Sequence, residues 1–254
     1  MAMIKTRTEI ACIKRAAAIS NSCIPIIRRA VKEGATEREI GRRVRENIYR
    51  KGGRLSFRTL VASGERSAMI HCKPTVTDRP VDGMGYVDFG ASYRGYKADV
   101  TVPFVRGKVG GRERRVVRTV IEAYGRAVRA WRPGMACWRL HREAESHISS
   151  RGLEMGHSLG HGLGLRIHER PIIYAPRDDL LRKVEILAKK GDEKAAKRLR
   201  RWERVKRVSF EDNMAFTIEP GAYVKGLGGC RIENTFLTVG KRLKCLTKSR
   251  LIEV

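Results

Sequence analysis

The sequence predicts an α+β fold of two similar halves, and three observations carry that reading. The first 50 residues place apolar side chains at helical spacing. From Leu55 the texture turns to short apolar or alternating runs broken by Gly, Pro and Asp. After residue 113 the same succession, helices and then a hairpin, returns without a recognisable sequence repeat.

Ile4, Ile10, Ile13, Ala17, Ile24, Ile27 and Val31 recur mostly at three- and four-residue steps, which predicts amphipathic helix over 4–33 with a kink or second start at Pro25. Thr36 followed by Glu39 forms a capping box for a helix through Ile40, Val44 and Ile48, stopped at Gly52 and Gly53. FRTLVASG, MGYVDFGASY and YKADVTVPFV then read as strands and hairpins. Val116, Val117, Val120, Ala123, Tyr124, Ala127 and Val128 cover one face of a helix over 113–131, and 138–150 forms another. FTIEPGAYV and GGCRIENTFLTV return to strand. Between them, 177–207 holds thirteen Lys/Arg against six Asp/Glu, and its apolar positions predict two short helices broken at Gly191 and Asp192, an inserted basic hairpin.

Composition narrows the function classes. With 254 residues, 42% hydrophobic and 32% charged, the chain is globular rather than disordered, as one domain or two fused halves. Its N-terminus lacks the uninterrupted apolar core of a signal peptide or membrane span, so a cytoplasmic protein with no membrane contact is expected. Six cysteines without a C-x-x-C pair argue against a zinc knuckle or a disulfide framework; they are expected to be reduced and mostly buried. The net charge of +27 attracts polyanions, which makes RNA or a ribosomal surface an expected partner of the basic stretch. A solvated helical face is the simpler explanation of that stretch, and adaptation to a hot or salty cytoplasm is an alternative for the charge as a whole.

The segment HSLGHGLGLRIHERP, residues 157–171, holds three of the six histidines, and the carboxylates explain it. In GYVDFGASYRGYKADV, a turn centred between Tyr93 and Arg94 sets Asp88 opposite Asp99, with Cβ atoms about 5 Å apart, an arrangement destabilising without a cation between them. In IEPGAYVKGLGGCRIEN, a loop centred on Gly226 sets Glu219 opposite Glu233. Four carboxylates and an imidazole suit two adjacent divalent ions, Mn²⁺ or Co²⁺ first and Fe²⁺ or Zn²⁺ next, in a two-metal hydrolytic arrangement. His161, flanked by Gly160 and Gly162 so that no bulky neighbour blocks approach, is the candidate ligand. His157 and His168 are left to handle substrate and charge.

Over 4–253, apart from the basic stretch, these residues resemble the pita-bread metallopeptidases of family M24, which include methionine aminopeptidase, aminopeptidase P and Xaa-Pro dipeptidase. The resemblance implies a curved antiparallel sheet in two similar halves covered by helices. It implies that Asp88 in VDFG, Asp99 in GYKADVT, His161 in GHGLG, Glu219 in TIEPG and Glu233 in RIEN bind two metal ions. It also implies that His71 in SAMIHCKPT and His168 in HERP contact the substrate and stabilise the tetrahedral intermediate, and that His157 lines the same pocket. Glu219 would also move a proton between water and leaving amine, and Arg231, grouped with the substrate-binding residues, would support Glu233.

The motif wording is closer to the Xaa-Pro branch, so the expected activity is metal-dependent removal of the residue before proline from peptide substrates. Methionine aminopeptidase activity is the alternative, motivated by the compact length, and a non-catalytic RNA- or ribosome-binding protein on the same fold is a third reading. Val102 and Pro103 replace the usual Arg-Thr after Asp99-Val100-Thr101, and Asn234 stands where the family usually has Asp. Proline-specific members commonly carry an N-terminal domain, so a single catalytic domain over 1–254 without it is expected here, with a homodimer as one assembly.

Overall fold

A computed structural model describes residues 2–70 and 77–254. The chain opens with helices α1 (Arg7–Asn21), α2 (Ile24–Glu33) and α3 (Glu37–Arg50), followed by strands β1 (Arg54–Leu55), β2 (Leu60–Ser63), β3 (Gly83–Phe89), β4 (Ala91–Tyr93), β5 (Tyr96–Lys97) and β6 (Val100–Arg106). Helices α4 (Gly111–Ala130) and α5 (Cys137–Ser150) lead to β7 (Gly160–Gly162) and β8 (Glu169–Ile173), then to α6 (Asp178–Lys189) and α7 (Glu193–Lys206). The chain closes with β9 (Ala215–Ile218), β10 (Gly221–Val224), β11 (Gly228–Arg231), β12 (Asn234–Val239), β13 (Arg242–Cys245) and β14 (Ile252–Glu253).

Local chemistry sets the helix ends. Thr6 and Thr36 each close a capping box, with Glu9 and Glu39 respectively. Pro25 marks a second start rather than a kink: it lies in the first turn of α2, where its missing N–H costs nothing. Residues 7–33 are apolar and long enough in composition to pass for a membrane span. They form two helices, however, and Ile13, Ile19, Ile27 and Val31 are fully or nearly fully buried in the core.

Each half lays helices over a sheet. In the first, Ile27, Val31, Ile40, Val44 and Ile48 pack on Val87, Phe89, Val102 and Phe104 of a sheet ordered β14-β6-β3-β2. In the second, Val116, Val120, Ala123, Leu140 and Ile148 pack on Phe216, Ile218 and Phe236 of a sheet ordered β13-β12-β9-β7-β8. The implied all-antiparallel sheet is corrected in one respect, because β14 runs parallel to β6. An isolated bridge between Thr101 and Glu233 joins the halves, with the Glu233 N–H donating to the Thr101 carbonyl at 3.1 Å.

One of the two hairpins has the register its sequence predicts and the other does not. Asn234 pairs with Ile218 and Arg231 with Gly221, so Glu219 and Glu233 stand opposite one another in one continuous register. In the other hairpin Asp88 faces Thr101, not Asp99. The turn is a two-residue reversal at Arg94 and Gly95, whose φ of 50° and 85° match the doubly left-handed turn that suits strand twist, and this moves the pairing by two residues. A slip of one would have sent Asp99 to the opposite face; a slip of two keeps both carboxylates on the same one.

The basic stretch forms the expected helical hairpin, with Asp192 capping α7 by accepting from the Ala195 N–H at 2.9 Å. Helix α6 buries nothing, whereas α7 buries Ala195 and Trp202, the latter edge-on to Trp138 of α5. Lys194, Lys197, Arg198, Arg201 and Arg204 are all exposed. Among the described cysteines Cys12, Cys23, Cys137 and Cys230 are buried and Cys245 is exposed, all as free thiols.

Candidate metal centre

A cavity of about 520 Å³ lies where the two sheets meet, and Asp88, Asp99, His161, Glu219 and Glu233 all line it, together with His157, His168 and Arg231. Asp88 lies on β3, Asp99 directly precedes β6, His161 lies on β7, Glu219 directly follows β9, and Glu233 directly precedes β12. His71 lies outside the described residues.

The strands are forced close at His161. A Cβ on Gly160 would collide with the Thr217 carbonyl, and one on Gly162 with the Arg170 carbonyl. The flanking glycines therefore serve backbone packing, and a bulge between His161 and Gly162 aims the ring. The His161 Nδ1 lies 3.1 Å from the Gly162 carbonyl, which assigns the ring proton to Nδ1. Burial drives this imidazole pKa down to about 3, with nearby His168 adding to the fall, so the ring is neutral.

The Nε2 lone pair then points at acceptors, with Glu219 Oε1 at 3.3 Å and Asp99 Oδ2 at 3.8 Å. Acceptors facing acceptors require a proton or a cation between them. Asp88 Oδ1, Asp99 Oδ1 and Glu233 Oε1 are buried without a hydrogen-bond partner. One ligand atom from each of Asp99, His161 and Glu233 lies within 4.8 Å of the others. Oxygen and imidazole donors left unsatisfied in this way fit a divalent cation of the Mn²⁺, Co²⁺, Fe²⁺ or Zn²⁺ kind.

Electrostatics give the same answer. Burial first, then Asp88 and Glu219, raise the Asp99 carboxyl well above the usual range. Burial, then Asp99, Glu219 and Asp88, do the same for Glu233. Glu219 rises to about 8, again chiefly by burial, with Asp88 adding to the rise and Arg231 opposing it. Three carboxyls that hold their protons this tightly in the folded state stabilise the metal-free protein below their unfolded pKa, and that contribution is lost as pH climbs through the folded values. Metal-free protein is therefore expected to lose thermal stability from about pH 4.5 to about pH 8, the span over which Glu219 is charged in the unfolded chain and still protonated in the folded one, and Mn²⁺ to restore it by an increment that grows with pH. Melting curves in chelator and in Mn²⁺ check this; a Glu219→Gln protein with an unchanged slope would contradict it.

Residues not singled out from the sequence hold the ligands in place. Thr101 Oγ1 donates to Glu233 Oε2 at 2.7 Å, and Thr217 Oγ1 to Glu219 Oε1 at 3.1 Å while accepting from the His161 N–H. Thr235 Oγ1 brackets the Asp99 backbone, donating to its carbonyl at 2.7 Å and accepting from its N–H at 3.0 Å. Arg231 forms its ion pair with Asp88, at 2.6 Å, and reaches Glu233 through Thr101, whose hydroxyl accepts from Arg231 Nε at 3.3 Å. It also donates to Tyr223 Oη at 2.7 Å and lies 4.4 Å from the Tyr86 ring centroid. His157 Nε2 is 3.0 Å from Tyr223 Oη, and the His168 ring stands edge-on to His161 with centroids 4.3 Å apart. Asn234 is not in the ligand set: its amide reaches Tyr124 Oη and the Ser249 carbonyl, and its oxygen accepts from Thr247 and Ser249.

Comparison with known proteins supplies a family. The sequence model of metallopeptidase family M24 matches residues 11–239. The Xaa-Pro dipeptidase of Pyrococcus furiosus is 33% identical over 252 residues, which cover 97% of this chain and 64% of that protein. The solved prolidase from Pyrococcus furiosus superposes with a TM-score of 0.80 at 32% identity, covering 98% of this chain and 66% of that one. A methionine aminopeptidase from Thermotoga maritima superposes with a TM-score of 0.78 over 98% of this chain and 100% of its own, at 21% identity, a likeness of fold alone. The chain spans about 64% of the length of the curated Xaa-Pro dipeptidases it matches.

Proposed function

Because the chain belongs to metallopeptidase family M24, we propose that it is a dinuclear metal-dependent exopeptidase that hydrolyses the bond before proline in short peptides, an Xaa-Pro dipeptidase activity. One observation carries the reading beyond family membership: buried carboxylate oxygens of Asp88, Asp99 and Glu233 stand without partners around a neutral imidazole whose lone pair faces two further oxygens. A protein without a cation there would be spending stability on charge repulsion for no return.

Asp88, Asp99, His161, Glu219 and Glu233 would hold the two ions, Mn²⁺ or Co²⁺ foremost. Ions held there would lower the pKa of a shared water and polarise the peptide carbonyl it attacks. Glu219, oriented by Thr217, takes the proton of the attacking water and passes it to the departing prolyl nitrogen. His168 donates to the oxygen that gains charge, a task for which its place against His161 suits it. His157, held by Tyr223 and the Ser158 carbonyl, shapes the substrate end of the cavity. His71 is assigned to substrate by its motif.

Arg58 lines the cavity and is exposed, whereas the other lining guanidinium, Arg231, is buried and committed to Asp88. A dipeptide brings a free carboxylate that Arg58 complements. Arg58→Ala is expected to raise KM for an Xaa-Pro dipeptide by about 10- to 100-fold, the scale of one charge-assisted hydrogen bond, and to leave the dipeptide amide unaffected. Equal effects on both would remove Arg58 from recognition.

The activity itself is tested with metal-loaded protein on Xaa-Pro dipeptides, Xaa-Pro-Yaa tripeptides and Met-Ala-Ser. Cleavage of the proline dipeptides is expected. Release of Met alone would make the chain a methionine aminopeptidase, and no cleavage with metal bound would overturn the catalytic reading.

A further inference from the structure

We propose that Lys5 is a positioning residue for the reaction, acting through a buried ion pair with Glu169 that fixes the loop presenting His168. The inference rests on the assignment of His168 to the reacting oxygen, made above. Lys5 Nζ donates to Glu169 Oε2 at 2.7 Å, and the two side chains are 2% and 5% exposed. A lysine and a glutamate this far from water are rare unless each neutralises the other.

The pair links distant parts of the chain. Lys5 directly precedes Thr6, the cap of α1, yet its backbone is tied to the second half, with its N–H donating to the Asn213 carbonyl at 2.8 Å and neighbouring Ile4 bridging Met214. Its ammonium also donates to the Ala2 carbonyl at 3.0 Å. Glu169 in turn is the nucleus of the loop that follows the GHGLG segment. Its second oxygen accepts from the Arg166 N–H at 2.9 Å, and the Arg166 carbonyl accepts from the Gly164 N–H at 3.1 Å. Gly164 roofs the pair: a Cβ there would lie 2.8 Å from Lys5 Nζ and 2.9 Å from each Glu169 oxygen. His168 is the residue before Glu169, and its ring rests against His161.

Removing the ammonium leaves a carboxylate buried without a counter-charge, which is strongly unfavourable. The local escape is for Glu169 to swing toward water, and the loop it organises, with His168 on it, must follow. Lys5 therefore sets the position of His168 without touching the cavity, since it is absent from the cavity lining.

The test compares wild type with Lys5→Met, Lys5→Arg and Glu169→Gln, each loaded with Mn²⁺, on an Xaa-Pro dipeptide that wild type cleaves. Lys5→Met and Glu169→Gln are expected to lower kcat at least tenfold, with KM changed less than about threefold and metal content unchanged, and Lys5→Arg to recover much of the loss by restoring the cation. Imidazole NMR of the metal-free proteins gives a readout independent of turnover: the His168 resonances should move in Lys5→Met while those of His141 and His147 stay. Wild-type kcat and an unmoved His168 in folded Lys5→Met would overturn the proposal, and if that variant does not fold, the same result in Glu169→Gln would do so. Failure of wild type to cleave proline peptides is a different outcome and counts against the proposed function instead.

Discussion

Asp99→Asn is expected to abolish peptide hydrolysis and, in the metal-free protein, to raise the melting temperature. The two effects have one cause. Asp99 is buried, its Oδ1 has no partner, and burial together with Asp88 and Glu219 opposes its charge. Asparagine keeps the shape and leaves the Thr235 bracket on the backbone intact, while it deletes the charge that the cavity can tolerate only with a cation. Stability should therefore rise, with each kcal/mol gained moving the melting temperature up by about 2–4 °C in a chain of this size. Turnover should fall by about 10²–10³-fold or more, the scale of losing a group that acts on developing charge. Differential scanning fluorimetry in chelator and metal analysis of the loaded protein check both halves; a lower metal-free melting temperature would contradict the repulsion on which the site is built.

Arg231→Met is expected to act in the opposite direction, costing about 3–5 kcal/mol of stability, because a buried pair broken on one side leaves the other charge stranded. The stranded group is Asp88, and the Tyr223 hydroxyl and the Tyr86 ring face lose their cation with it. Lysine should not rescue the loss, since one ammonium cannot reproduce the fork that meets Asp88, Tyr223 and Thr101 together. Asp88→Asn combined with Arg231→Met should recover part of it. Chemical denaturation of the four metal-free proteins measures the coupling, and additive losses would mean that the pair contributes nothing as a pair.

The sequence made the helices and one hairpin legible because their signals are local. The capping box at Thr36, the break at Gly191 and Asp192, and the glycine-rich reversal around Gly226 are all decided within a few residues of chain. The Asp88 hairpin lies two residues from the register its sequence predicts because Arg94, not a glycine, takes one of the left-handed positions of its turn. The shift leaves the site intact because the two-residue repeat of a strand keeps Asp99 on the same face. What composition and spacing could not reveal were the supports. Thr217 was within reach, sitting two residues before Glu219 and so on its face, and Thr101 would have followed from the correct register opposite Asp88. Lys5 had no such signal: its partner Glu169 lies 164 residues away, and only the folded chain brings them together.

The most direct measurement is a Co²⁺ titration of metal-stripped protein, with visible absorbance and hydrolysis of an Xaa-Pro dipeptide read in the same samples. Binding that saturates at about two equivalents per chain is expected from a site of four carboxylates and one imidazole, with no turnover before metal is added. Saturated binding without hydrolysis of any peptide, or full hydrolysis in chelator, would contradict a two-metal peptidase.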